Sequence, residues 1–392
     1  MKCNVPHRHW LTAATLAAGF LLTACTAPAP RSEPRSDLTI GGVDLSTVCP
    51  AIISVQTDWN PQAEQGGLFH LLGDPAAVDI NTSTATVTGP LFSRDGYTGV
   101  DLQIRAGGPA IGQQAVSAQM YTDPTLTLGY VNTDEAIRLS ASMPTTAVFA
   151  PLDKSPQIIM WDPASWPTVH SIADLGKTGA VVRYFGGTTY MDYLVSTGHL
   201  HADQLDAGYD GTPGNWVAAG GRDAQQGYVG VEPYVYQHEL DSWGKPVSYQ
   251  LIHDTGYPIY QNAISVRSAE LPSLAPCLRR LVPIMQHASI DYLREPARAN
   301  TLILDAVNTF NNGWLYTTGV ADHSDRVMAE LGLVGNGDNA TLGDFDMSRI
   351  QRTLKITEPI FAATGSPPRP ELHPADLATN EFIDPTIGMD NR

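Results

Sequence analysis

Residues 180–190 read Ala-Val-Val-Arg-Tyr-Phe-Gly-Gly-Thr-Thr-Tyr, an apolar strand that runs through a glycine turn into a helix. Thr188 is a good N-cap for this helix and Gly198 a good C-terminal stop. In open α/β sheets, ligands bind at the carboxyl ends of the strands, and the free N–H groups of a helix start favour negative or strongly polar groups. We therefore predict a ligand-contacting turn at 186–189, with an ordinary turn as the alternative.

The same alternation of short apolar strands and longer helical stretches continues on both sides of this turn. Strand-like runs occur at 52–55, 99–104, 126–130, 179–184, 226–231 and 247–252, and helical spacing follows at 278–293, 298–312 and 325–331. The pattern predicts an α/β protein of two lobes, each a mostly parallel sheet flanked by helices, with a helical C-terminal part.

The N-terminus carries the features of an export signal. Lys2 and Arg8 precede an apolar run at 10–22 that is too short to span a bilayer, and Leu-Thr-Ala leads into Cys25. This pattern is typical of a bacterial lipoprotein, in which Cys25 becomes the lipid-bearing mature N-terminus. An ordinary secretory signal with an incidental cysteine, or a short buried helix, is the alternative. We expect the body to lie on the extracytoplasmic face of the cell membrane.

Composition limits the class of protein. The 392 residues are 43% hydrophobic and 16% charged, which suffices for two domains and excludes a disordered chain. A formal net charge of −17 disfavours nucleic acid as a partner. Of the four cysteines, Cys49 and Cys277 lie beyond the signal and predict one disulfide, or else two buried thiols. No clustered Cys/His pattern predicts a metal site.

Two further motifs place polar side chains at strand ends. Glu232 follows an apolar strand and precedes Pro233; it would accept hydrogen bonds from an amine or an amino-substituted ring, or alternatively cap the next helix. Asp58-Trp59-Asn60 follows the first strand, where Trp59 offers a flat face to a ring and its neighbours supply polar contacts, or alternatively form a turn. Several aromatic residues recur at other strand ends. The predicted ligand-binding residues are Asp58, Trp59, Asn60, Trp161, Tyr184, Gly186, Gly187, Thr188, Thr189, Tyr209, Glu232 and Tyr257.

Taken in order, these motifs resemble those of type II substrate-binding proteins of bacterial ABC importers. The resemblance rests on Asp58-Trp59-Asn60-Pro61, Gly186-Gly187-Thr188-Thr189, Gly220-Gly221-Arg222-Asp223-Ala224 and Glu232-Pro233. The branch it indicates includes the nitrate, sulfonate and taurine binders and the binders of thiamine-pyrimidine precursors. The chain departs from the family at 66–73, in an extra segment at 82–96, and in its long C-terminal extension.

The resemblance implies two lobes joined by two crossovers, expected near 145–152 and 256–265, that close by hinge bending on a ligand. It implies an ABC permease and its ATPase subunits as partners, a monomer, no cofactor and no catalysis. The expected segments are a signal peptide (1–24), a lipid-anchored tether rich in Pro and Ala (25–40), the first part of lobe 1 (41–148), lobe 2 (149–260), a helical return to lobe 1 (261–364) and an irregular C-terminal strap (365–392).

The ligand class follows from the candidate residues. Trp59, the tyrosines and Glu232 favour a flat, amino-bearing heteroaromatic such as a pyrimidine of the thiamine-precursor type. The turn at 186–189 would instead suit a sulfonate, taurine or nitrate. Two other classes stay open: an extracytoplasmic enzyme on the same fold, for which the sequence offers no nucleophile or acid/base pair, and a scaffold or sensor lipoprotein without a transported ligand.

Overall fold

A computed structural model describes residues 37–390. The predicted signal peptide, the lipidation site Cys25 and most of the predicted tether precede residue 37 and so lie outside the described residues. Within 37–390, no helix is both long enough and apolar enough to cross a membrane.

Two β-sheets form the framework of the described residues. The first sheet contains β1 Ile52–Gln56, β2 Asp79–Asn81, β3 Thr86–Ser93, β4 Gly96–Arg105, β5 Leu128–Val131, β6 Thr145–Phe149 and β12 Ala263–Arg267, in the order β2-β3-β4-β1-β5-β12-β6. The second contains β7 Gln157–Trp161, β8 Val182–Arg183, β9 Leu205–Asp206, β10 Ala224–Tyr228 and β11 Ser248–Leu251, in the order β11-β7-β10-β8-β9. We call the part of the protein built around each sheet the first and the second lobe.

Helices flank both sheets and dominate the C-terminal part. They are α1 Gly66–His70, α2 Val116–Thr122, α3 Thr133–Arg138, α4 Ile172–Leu175, α5 Thr189–Ser196, α6 Gly214–Ala219, α7 Glu232–Tyr234, α8 Leu271–Arg294, α9 Ala297–Phe310, α10 Thr318–Glu330, α11 Met347–Ala363 and α12 Pro374–Leu377. After β12 the chain is helical, and α8 and α9 pack against α1 in the first lobe. The predicted α/β class, with two flanked sheets and a helical C-terminal part, is confirmed.

The sheets are mixed rather than mostly parallel, which corrects one part of the prediction. In the first sheet β1 pairs in parallel with β4 and β5, whereas every other pairing there is antiparallel. The extra segment at 82–96 contains all of β3 and the turn into β4, and strands joined by a tight turn can only be antiparallel. In the second sheet β7 and β11 run antiparallel to their neighbours.

The chain passes between the lobes twice. It leaves the first sheet after β6 and enters the second at β7, then leaves the second after β11 and returns at β12. The connecting links are residues 150–156 and 252–262. The two strands that end and begin in the first lobe, β6 and β12, pair with each other, with Ser265 opposite Ala147. The links therefore run side by side, as a hinge between two lobes requires.

Two features fasten the ends of the described chain to the first lobe. Cys49, just before β1, forms a disulfide with Cys277 in α8. The C-terminal segment, predicted as an irregular strap, contains the short α12 and then runs beside β6, where Thr379 N–H donates to Ala147 O at 2.9 Å. Because β6 is the last strand of its sheet, this contact covers an otherwise open edge.

Candidate ligand-binding cleft

A cleft with a volume of about 540 Å³ is lined by residues from both lobes. This volume falls within the range of about 300–1,000 Å³ that small-molecule sites occupy. Its first-lobe lining includes Asp58, Trp59, Gln62, Asn132, Asp134, Glu135, Arg138 and Trp314. Its second-lobe lining includes Phe185, Gly186, Gly187, Thr188, Thr189, Tyr190, Tyr209, Gln226, Tyr228 and Glu232.

The end of β1 positions Asp58 and Trp59. The Thr57 hydroxyl donates to the Trp59 carbonyl at 2.9 Å, and backbone N–H groups at 107 and 108 donate to the carbonyls of Trp59 and Asp58, both at 2.9 Å. Gly108 has a φ of +55°, and a Cβ there would lie 2.5 Å from Trp59 Cε3. Only glycine lets the backbone pass this close to the indole. These hydrogen bonds fix the backbone of Asp58 and Trp59, from which both side chains reach the cleft lining.

A line of aromatic rings crosses the cleft. The Trp59 centroid lies 5.5 Å from that of Phe185 and 5.8 Å from that of Trp314, and Phe185 lies 4.9 Å from Tyr209. Trp59 and Trp314 belong to the first lobe, whereas Phe185 and Tyr209 belong to the second. The two lobes therefore meet through aromatic side chains, which offer flat apolar surface to a ring-shaped ligand.

The turn at 186–189 lies at the start of α5 and lines the cleft. Gln226 holds it in place, since its Oε1 accepts hydrogen bonds from Phe185 N–H at 2.8 Å and from the Tyr190 hydroxyl. Thr188 occupies the N-cap position, but its hydroxyl donates to the Phe185 carbonyl at 3.1 Å rather than capping the helix. The turn is rigidly supported and faces the cleft.

Glu232 is the first residue of α7 and lines the cleft beside β10. Its Oε2 accepts a hydrogen bond from Tyr228 N–H at 2.6 Å. Burial raises the pKa of Glu232 to about 7, although the Tyr228 hydrogen bond opposes this rise. Glu232 forms no ion pair with the described residues, so no cation there offsets the cost of burying its charge.

Three other acidic side chains line the cleft from the first lobe. Burial raises the pKa of Asp58 to about 7, and burial also raises the pKa values of Asp134 and Glu135. Asp134 Oδ2 accepts from the Tyr257 hydroxyl at 2.7 Å, and Glu135 Oε1 accepts from the Ser117 hydroxyl at 2.6 Å. Asp58 Oδ1, by contrast, is buried and has no hydrogen-bond partner among residues 37–390.

Few donors in the lining are free to meet a ligand acceptor. Among the described residues that line the cleft, Arg138 is the single Arg or Lys. Its Nε lacks a hydrogen-bond partner within the described chain. Gln62 is 1% exposed, and its Nε2 likewise finds no partner in the part of the chain that the structure describes. Buried polar atoms are normally hydrogen-bonded, and these two groups are available to donate to a molecule in the cleft.

Eight of the predicted site residues line the cleft and four do not. Those in the lining are Asp58, Trp59, Gly186, Gly187, Thr188, Thr189, Tyr209 and Glu232. Asn60 Oδ1 instead accepts from Asn312 at 2.6 Å, and Trp161 is buried in the second-lobe core. Tyr184 packs against the same core, and Tyr257 lies behind Asp134 as its hydrogen-bond donor.

Sequence reasoning missed several lining residues. Asp134 and Glu135 lie in the first turn of α3, just after β5, so the rule that polar residues gather at strand ends applies to them; Arg138 is the last residue of the same helix. Phe185 immediately precedes the predicted turn and lines the cleft, whereas its neighbour Tyr184 packs against the second-lobe core. Trp314 lies in the irregular segment after α9, and no pattern in the sequence marks it.

Solved structures of similar fold support the architecture. A protein from Bordetella bronchiseptica aligns with a TM-score of 0.52 at 13% identity, covering 85% of this chain and 95% of its own. The periplasmic aliphatic sulphonate binding protein SsuA from Escherichia coli also aligns with a TM-score of 0.52, at 12% identity, covering 88% of this chain and 95% of its own. Neither a protein-family model nor a curated protein sequence matches this chain. At these identities the likeness shows a periplasmic-binding-protein fold.

Proposed function

We propose that this protein is the solute-binding component of an ABC importer, held by lipid on Cys25 to the extracytoplasmic face of the cell membrane. The cleft, lined by both lobes, carries the proposal. A solute that contacts both lobes favours their closed arrangement, which the permease and its ATPase subunits would recognise. The similar fold of a periplasmic sulphonate binding protein supports this role. No covalent step is part of the proposal.

The solute that fits the cleft best is a flat, amino-bearing heteroaromatic of the pyrimidine type. Trp59 and Phe185 offer faces for stacking, while Asp58 and Glu232 offer carboxyl oxygens to amino groups. Acidic side chains outnumber the single arginine of the described lining, which disfavours an anion. A sulfonate, taurine or nitrate is the second candidate, favoured by the helix start at 186–189, which faces the cleft.

The test is native mass spectrometry of the full chain, purified without denaturation in mild detergent, followed by thermal unfolding with pyrimidines, sulfonates and nitrate. Solute at 100 times its dissociation constant should stabilise the fold by about 2.7 kcal/mol. A shift with an aminopyrimidine supports the preferred solute, and a shift with a sulfonate or nitrate supports the second candidate. No bound mass and no shift would favour a scaffold or sensor role, and turnover of a bound compound would indicate an enzyme.

Replacing Glu232 tests the site itself. Glu232→Gln keeps the shape of the side chain but removes its charge, so binding should weaken by about 1.5–3 kcal/mol, the loss typical of a charged hydrogen bond. The matched control is Glu330→Gln, an exposed residue in α10 that does not line the cleft. Equal affinities of the two variants would remove Glu232 from the site.

A further inference from the structure

The carboxyl groups of the cleft fall into two classes. Asp134 and Glu135 are each held by hydroxyl and backbone donors, so they are occupied by the protein itself. Asp58 is different, because its buried Oδ1 has no partner within 37–390. Glu232 enters from the other lobe and receives a backbone hydrogen bond on Oε2, with no ion pair to any described residue.

Burying a carboxylate without a cation is costly, because the charge loses its hydration and gains no compensating partner. The raised pKa values of Asp58 and Glu232 express this cost, since burial makes both groups resist ionisation. A positively charged solute would supply the missing partner. An anionic solute would find Arg138 as the single cationic side chain among the described lining residues, and every carboxyl group that ionises would repel it.

The remaining lining fits a charge that is spread over an aromatic ring. Trp59, Phe185, Tyr209 and Trp314 surround the cleft, and their faces attract cations within about 6 Å of the ring centroid. The unpartnered, nearly fully buried Gln62 Nε2 needs an acceptor, such as a ring nitrogen or an oxygen substituent. Donors, an acceptor and delocalised positive charge together describe a cationic amino-heteroaromatic base.

We propose that the cleft binds its solute as an aromatic cation, whose charge is balanced by Asp58 from the first lobe and Glu232 from the second. This inference rests on the proposed solute-binding function and narrows the class of solute. It explains why both lobes must contribute, because the cation attracts each of them and so draws the cleft closed.

The experiment compares probes that differ in charge but little in shape. Titration calorimetry on the full chain would use 4-amino-1-methylpyrimidinium, which carries a fixed positive charge, the neutral 4-aminopyrimidine at pH 8, and pyrimidine-4-sulfonate as the anion. The fixed cation should bind at least 10-fold tighter than the neutral probe, and the sulfonate should bind weakest. Asp58→Asn and Glu232→Gln should each weaken binding of the cation at least 10-fold, and binding of the neutral probe by a smaller factor. Glu330→Gln, an exposed change outside the cleft lining, should leave the affinity for the cation unchanged.

The outcomes separate this inference from the function on which it rests. A neutral or anionic probe that binds as tightly as the cation overturns the cationic solute but leaves solute binding intact. A neutral or anionic compound recovered with the protein by native mass spectrometry has the same consequence. If no compound is recovered and no probe binds, both the proposed function and this inference are rejected.

Discussion

The indole of Trp59 and the phenyl ring of Phe185 approach to 5.5 Å between centroids, at an interplanar angle of 56°. Trp59 follows the first strand of the first lobe, and Phe185 follows β8 in the second. Such tilted aromatic pairs contribute about 0.5–1.5 kcal/mol beyond the area they bury. Because the pair can form only when the lobes are close, it stabilises the closed arrangement of the cleft.

Replacing Phe185 should therefore loosen the closed form. Phe185→Leu keeps an apolar side chain but loses the ring, so we expect a larger radius of gyration by small-angle X-ray scattering and faster dissociation of the solute. The control is Tyr249→Leu, which removes a partly exposed ring from β11, outside the cleft lining. If both variants scatter like the parent protein, the aromatic contact does not hold the lobes together.

The disulfide should contribute strongly to stability. Cys49 and Cys277 are 228 residues apart, and closing a loop of that length restricts the unfolded chain. The loop-entropy relation gives an upper value of about 5 kcal/mol, and native disulfides usually contribute about 2–5 kcal/mol. We expect urea unfolding of the Cys49→Ala, Cys277→Ala double variant to show a loss in this range.

Reductant provides the control for that prediction. A thiol reductant should destabilise the parent protein toward the level of the double variant and leave the variant itself unchanged. An unfolding midpoint of the parent that does not respond to reductant under denaturing conditions would contradict a stabilising bond.

Local patterns predicted much of this architecture because strands and helices leave periodic signals. The turn at 186–189, Asp58-Trp59 and Glu232 were all found from one rule, that polar residues after an apolar strand gather at a sheet edge. The rule does not give the face on which a side chain lies. Tyr184 is predicted as an aromatic residue at a strand end, whereas the structure packs Tyr184 against the second-lobe core and places Phe185 in the cleft lining.

Local sequence patterns do not predict which strands pair with each other across long stretches of the chain. The hairpin of β3 and β4 contains Gly89 and Pro90, which break a strand pattern in sequence. In the structure Pro90 lies at a register shift opposite β4, a place where a strand tolerates a missing N–H donor. The mixed order of both sheets depends on such pairings, so mostly parallel sheets were predicted wrongly.

A buried acid below the cleft should make stability depend on pH. Glu64 is 4% exposed, and both of its carboxyl oxygens lack partners among the described residues. Burial raises the pKa of Glu64 to about 8, and the nearby carboxyl groups of Asp58 and Glu232 add to the rise. The folded protein thus keeps a proton that the unfolded chain loses near its ordinary value of 4.5.

The sign of the effect follows from this difference. The stabilisation is fully present below pH 4.5 and is lost as pH rises through about 8, because the folded state binds the extra proton. Glu64→Gln carries no titrating group there. Its free energy of unfolding, relative to the parent protein, should rise by on the order of 2 kcal/mol between pH 5.5 and 8.5. Urea unfolding at both pH values measures this.

Glu358→Gln, an exposed change in α11, serves as the control for Glu64→Gln. The difference between this variant and the parent protein should stay within about 0.5 kcal/mol at both pH values. A Glu64→Gln curve that runs parallel to the parent's would mean that Glu64 does not titrate in this range.

Arg349, in α11, joins both links between the lobes. Its Nη1 and Nη2 donate to Asp153 Oδ1 at 2.9 Å and Asp153 O at 2.6 Å, in the link at 150–156. Its Nε and Nη2 also donate to the carbonyls of Pro258 and Ile259, both at 2.8 Å, in the link at 252–262. The guanidinium lies 3.9 Å from the Tyr260 ring centroid. One side chain therefore fixes the spacing of the two hinge links.

Removing this guanidinium should affect both stability and hinge geometry. Arg349 is 8% exposed, and Arg349→Met would leave the acceptors of both links without their donor, at a cost of about 2–4 kcal/mol in unfolding free energy. Arg352→Met is the matched control, one turn along the same helix, where the side chain is 57% exposed. It should change stability by less than about 0.5 kcal/mol.

Because Ile259 also lines the cleft, Arg349→Met should weaken solute binding as well. Arg349→Lys keeps the charge but loses the planar guanidinium. Its free energy of unfolding should lie between those of Arg349→Met and Arg352→Met. If the two methionine variants unfold at the same urea concentration and bind solute alike, Arg349 does not hold the hinge.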